Sequence, residues 1–205
     1  MVRLTEGDRA RIADAVAGAE ARTGVEMQLV LAHWSSHYGA FALIYPGLIA
    51  LIAGGIAAAL RPDLEASWLF IGEACVFAAA LALMQILPLR RALAPPAIRR
   101  KAAWRQARLH YASIGLKLPH THSAVLIFCS AAERYAEILV DDAIAEKLPG
   151  PVWEPVIHRF KADLAVGAVA TAFVAAAGAC ADILAPDFPP EPGRPNEIPD
   201  ALVEV

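Results

Sequence analysis

The hydrophobic pattern of this chain changes character along its length. Residues 1–38 space their apolar positions first at helical and then at strand intervals. Residues 40–60 and 68–89 are almost unbroken apolar runs, and the remainder returns to amphipathic spacing before a Pro-rich acidic end. Each apolar run has about the 20 residues that carry a helix across a bilayer. Only residues 61–67 separate the two runs, enough for a turn and too little for a domain. The pattern predicts a two-helix transmembrane hairpin over residues 39–90.

On the N-terminal side, Ile12, Val16 and Ala19 recur on one helical face. Thr5 and Asp8 stand at capping-box spacing, and Gly24 suits the helix end. Residues 25–31 then alternate, with Val25, Met27, Leu29 and Leu31 on one side of a strand. One helix and one strand bury too little to fold alone, so their partners must come from beyond the hairpin. There, Pro95 and Pro96 break the chain, and residues 98–113 suit a helix with Ile98, Ala102, Leu109 and Ala112 near one face. Residues 124–129 read as a central strand, 135–140 as another, 143–148 as a helical turn and 152–161 as a helix. The Ala-rich run 163–185 has two readings, a third crossing or a helix buried on a sheet. Ala and Gly contribute little to membrane insertion, and Asp163 and Asp182 flank the run, which favours the buried helix. The tail, 186–205, is expected to be disordered.

Composition and charge add location. At 205 residues the chain has room for the hairpin and one domain of about 100–130 residues. A hydrophobic fraction of 58% is high for a soluble chain, and the two runs account for much of it. No Asp or Glu stands between Glu73 and Glu133, whereas Arg90, Arg91, Arg99, Arg100, Lys101, Arg105 and Arg108 follow the second run. A basic flank of this kind stays cytoplasmic, and two crossings return the N-terminus to the same side. The expectation is a two-pass protein of a bacterial inner membrane with both termini cytoplasmic. A signal peptide is not expected, because the first 38 residues are too polar. Trp34, Tyr38, Trp68, Arg90 and Arg91 are expected at the membrane interface. Pro46 is expected to kink the first span, and Ala50/Gly54 and Gly55/Ala59 offer small faces for helix packing within the hairpin or between copies. Glu73, the one formal charge inside the spans, is expected to reach the non-cytoplasmic interface. Cys75, Cys129 and Cys180 lack paired spacing and read as reduced thiols. The basic segment suits anionic lipid; it carries no nucleic-acid recognition motif, and no nucleic acid is expected.

The residues outside the hairpin resemble the TPM domain family. The resemblance rests on the apolar strand 124–129, the acid–Arg turn Glu133-Arg134 and a second strand ending at Asp141. Trp153, the run from Phe160 to Gly167, the Phe188-Pro189 close and the opening helix with Thr23-Gly24 complete it. It implies an α/β/α sandwich, divided here into 1–38 and 91–185 by the hairpin. Ala124 and Ala143 depart from glycines common in the family. Some relatives act as phosphatases or bind calcium, which implies a divalent cation held by Asp141, Asp142 and Glu133 at strand ends. Read from the residues themselves, the same acids are favoured as a solvated turn with a negative charge at a helix N-terminus. His33/His37 and His120/His122 each have two-ligand spacing and lack a third ligand in local register. No Ser-His-Asp order, phosphate loop or HExxH stands in the chain. The functional expectation is a membrane protein presenting a cytoplasmic TPM-like domain for interaction with, or assembly and maintenance of, other membrane proteins. Its partners would be the lipid bilayer and another membrane protein, or a second copy through the hairpin. The alternative is a membrane-tethered metal-dependent phosphatase.

Overall fold

Strand β1 (Val25–Ala32) lies parallel to β2 (Ser123–Ser130), Val25 facing Ser123 and Ala32 facing Ser130. Segments on either side of the apolar runs therefore meet in one sheet. The computed structural model describes residues 4–36, 39–85, 92–115, 123–190, 193 and 196–205. It divides into two units, residues 1–35 with 100–205, and residues 36–99.

In the first unit β3 (Tyr135–Val140) runs antiparallel to β2, and the short β4 (Val203–Glu204) lies parallel to β1, in the order β3-β2-β1-β4. Helix α1 (Glu6–Glu20) starts with the expected capping box, the Asp8 amide donating to the Thr5 hydroxyl and the Thr5 amide donating to the Asp8 carboxylate. Such a cap contributes about 1 kcal/mol. Helix α4 (Pro96–Gly115), which belongs to this unit from residue 100 onward, precedes β2. After β3 come α5 (Asp142–Lys147), a 3-10 turn (Gly150–Trp153), α6 (Glu154–Ala165) and α7 (Val169–Leu184). Helices α1, α6 and α7 share one core with Val25, Met27, Leu29 and Leu31 of β1. On the other face Ala103, Ala107 and Ile114 of α4 pack with Val30, Leu126 and Phe128. The sheet is thus sandwiched between helices.

Strand β1 is central and buried along its whole length, and even Glu26 and Gln28 are 4% and 6% exposed. Three features differ from the sequence expectations. The buried face of α4 is Ala103/Ala107/Ile114, while Leu109 is 65% exposed; small side chains let the helix approach Phe128 closely. The Ala-rich segment is the core helix α7, with Ala172, Phe173, Ala177, Cys180, Ala181 and Leu184 at 0% exposure. Finally, the tail expected to be disordered supplies β4 and a buried Ile198. Its backbone is anchored where Val205 N–H donates to Leu31 O at 3.0 Å and His33 N–H donates to Val205 O at 2.7 Å.

The second unit holds α2 (Phe41–Leu60) and α3 (Ala66–Leu83), packed on each other. Ala42, Pro46, Ala50 and Gly54 recur every four residues and form the buried ridge of α2. At Gly54 a Cβ would lie 1.7 Å from Glu73 Oε1, so the glycine leaves room for the Glu73 side chain in this placement. The Glu73 carboxyl rests against α2 at Gly54. Elsewhere the apolar side chains face outward, with Leu51 67%, Leu60 74% and Phe70 71% exposed.

Candidate functional site

The acids proposed as metal ligands separate in space. Asp141 follows β3 and caps α5: its Oδ1 accepts from Ile144 N–H at 2.8 Å and its Oδ2 from Ala124 N–H at 3.0 Å. Asp142 lies in the first turn of α5. Glu133 precedes β3 at the other end, about 20 Å away by the rise of six strand residues. Its carboxylate is 8% exposed and accepts from the Ser130 hydroxyl and, at 3.1 Å, from Ser35 N–H. The residues implied by the resemblance do not fit a shared cation: two ends of a strand cannot coordinate one ion. Among the described residues no group of three or more His, Cys, Asp or Glu could hold a metal. His37, His120, His122, Tyr38, Arg90 and Arg91 lie outside the described residues. Trp34 is 38% exposed beside β1, and Trp68 is 64% exposed at the start of α3.

Asp141→Ala is accordingly expected to cost about 1–2 kcal/mol of stability, as a lost helix cap does. The loss should be the same with and without millimolar calcium in a thermal melt. A calcium-dependent difference between the variant and the parent chain would restore the metal reading.

At the amino end of β1, acids converge differently. Glu20 Oε1 accepts from Met27 N–H at 2.7 Å, and burial, with Glu26 and Asp200 nearby, pushes its carboxyl up to about 8. The folded state then holds this proton over a range in which the unfolded chain, titrating near 4.5, has lost it. Stability falls as pH rises from about 4.5 to about 8 and is constant in this respect above. Glu20→Gln keeps the acceptor for Met27 and is expected to flatten that slope and raise the melting temperature at pH 8. Melts at pH 5, 6.5 and 8 check it.

The opposite end of the sheet carries a cavity of about 400 Å³. Its floor is a row straight across three strands, Leu31 beside Cys129 and Cys129 beside Ala136. Lys161, Leu164 and Ala165 of α6, spaced to share a helix face, and Val169 at the start of α7 cover it. The β2–β3 turn closes one side with Arg134, whose φ of 51° places a non-glycine residue in the left-handed region. Burial pushes the Cys129 thiol up to about 12, which keeps it a neutral thiol. Sequence reasoning singled out Glu133-Arg134 as a turn and passed over Lys161. No local signal links Arg134 to a lysine on a later helix; only the fold does.

No family model matches the chain, and no curated protein matches it. Among solved structures, the NMR structure of the BA42 protein from the psychrophilic bacterium Bizionia argentinensis superposes with a TM-score of 0.61 at 13% identity. The match covers 98% of this chain and 95% of that one. The likeness is one of fold.

Proposed function

We propose that this chain is a two-span protein of a bacterial inner membrane whose TPM-like α/β unit faces the cytoplasm as an interaction and assembly module for other membrane proteins. The observation that carries the reading is the outward apolar surface of the hairpin. Spans Phe41–Leu60 and Ala66–Leu83 have mean hydropathies of 2.1 and 1.9 over 18-residue stretches of which only 17% and 0% are buried. A core helix of a soluble domain hides such a surface; a bilayer accepts it. The charge asymmetry across the hairpin supports cytoplasmic termini. Element order supports the TPM-like assignment: helix and strand before the hairpin, two strands and two covering helices after it. The phosphatase alternative requires Asp141, Asp142 and Glu133 at one point, and their placement at the two ends of β3 weighs against it.

The test is alkaline carbonate extraction combined with reporter fusions. The chain should stay with the membrane; fusions at Thr5 and Val205 should report a cytoplasmic position and a fusion at Asp63 the opposite side. Release of the intact chain by carbonate would overturn the membrane reading, and a non-cytoplasmic signal at Val205 would overturn the topology. Crosslinking in native membranes should attach another membrane protein, and a chain that crosslinks to no protein has no assembly role.

A further inference from the structure

We propose that the cavity at the carboxyl ends of β1 and β2 is a binding site for a small organic carboxylate, its anionic group held between Arg134 and Lys161 and its apolar body laid against Leu164, Ala165 and the ring of Tyr135. This goes beyond the interaction role and does not rest on the membrane reading, because every residue of the cavity belongs to the α/β unit.

Three observations carry it. The first is position. Open α/β sheets take ligands outside the carboxyl ends of their parallel strands, and β1 and β2 end here at Ala32 and Ser130. The second is charge. Several cations of this unit have carboxylate partners: Arg9 with Glu204, Arg22 with Asp182, Arg108 with Glu137 and Arg159 with Asp163. Arg134 and Lys161, both exposed, are among the cations with no such partner among the described residues, and of these they are the two that line the cavity. Their nearest acids in sequence are committed elsewhere, Asp163 to Arg159 and Glu133 inward to Ser35 and Ser130. Two unneutralised cations thus border one cavity. The third is the backbone at Arg134. A left-handed non-glycine residue costs of order 1 kcal/mol or more, and such strain gathers at ligand sites; glycine would relieve it and remove the guanidinium from the rim.

The lining sets the ligand class. Leu164, Ala165 and the Tyr135 ring offer apolar surface beside Ser130, over a floor of Leu31, Cys129 and Ala136 that is itself buried, which suits an aromatic or short acyl body. The volume of about 400 Å³ is that of a small-molecule pocket. A guanidinium and an ammonium at the mouth favour one compact anion.

The experiment uses the full chain in lipid nanodiscs, with empty nanodiscs as the blank, and three probes in equilibrium dialysis. 2-Naphthoate carries both features, acetate only the charge and 2-naphthalenemethanol only the rings. Saturable binding of one 2-naphthoate per chain is expected, at least 10-fold tighter than either other probe and weakened by added salt. Arg134→Gln combined with Lys161→Gln should weaken it at least 10-fold. Ala165→Trp, on an exposed stretch of α6, should block the cavity without altering charge and abolish binding, with an unchanged far-ultraviolet spectrum showing that the fold survives. Binding of 2-naphthalenemethanol as tight as that of 2-naphthoate would overturn the anion site. Binding that both variants leave intact, or no saturable binding at all, would overturn the cavity as its place.

Discussion

Ile198→Ala is expected to destabilise the α/β unit by about 2–5 kcal/mol, and a chain ended after residue 195 by more. Ile198 is fully buried with α4 and the sheet, and its N–H donates to Glu26 Oε2 at 3.2 Å. Removing a buried isoleucine side chain loses both its transfer free energy and the packing around the hole it leaves. The shortened chain also loses β4, which pairs Val203 with Val30 and Glu204 with Leu31, and with it the ion pair of Arg9 and Glu204 at 2.7 Å. Strand β1 would become an edge with unpaired N–H and C=O groups beside a fully buried apolar row. Urea denaturation of the full chain in mild detergent, followed at 222 nm, measures the effect. An unchanged midpoint in both variants would mean that the tail stands clear of the sheet, as its composition alone suggests.

The second large effect is expected at Phe173, where substitution by alanine should cost about 3–5 kcal/mol. Its ring meets that of Phe160 edge to face, centroids 5.0 Å apart at 67°, joining α7 to α6 over the sheet. Both rings are buried. The same urea titration decides between the two readings of the Ala-rich segment. On a third span Phe173 would face lipid or a neighbouring span, and its loss would leave the denaturation of the α/β unit nearly untouched. In the core, the loss appears in full. Phe160→Ala should cost a similar amount, and the double variant less than the sum, because each single variant already loses the shared ring contact.

Much of the fold was legible because its signals are local. The capping box of Thr5 and Asp8, the alternation over Val25 to Leu31 and the apolar runs with a basic flank each fit within one element. Strand 135–140 was read to the residue, since turn residues bound it on both sides. Elements whose order depends on distant partners were misread. The tail contains Pro and acidic residues, so its local propensity is for disorder, and Ile198 and Val203 acquire structure only by lying against β1. Helix α4 was turned on its axis because Leu109 looks like a core residue, while the flat sheet beneath accepts Ala103 and Ala107 more closely.

The candidate site shows the same division. Glu133, Asp141 and Asp142 are neighbours in sequence, and a strand stands between the first and the other two. Arg134 and Lys161 are unrelated in sequence, and a turn and a helix face bring them to one cavity. From the sequence alone came the elements, the hairpin between them and the need for its two flanks to reunite, because periodicity and charge are properties of short windows. Tertiary structure alone decided which faces are buried, that the tail closes the sheet, that Glu73 rests on Gly54 and that two cations border a common cavity. Those are outcomes of non-local pairing, which short windows do not carry.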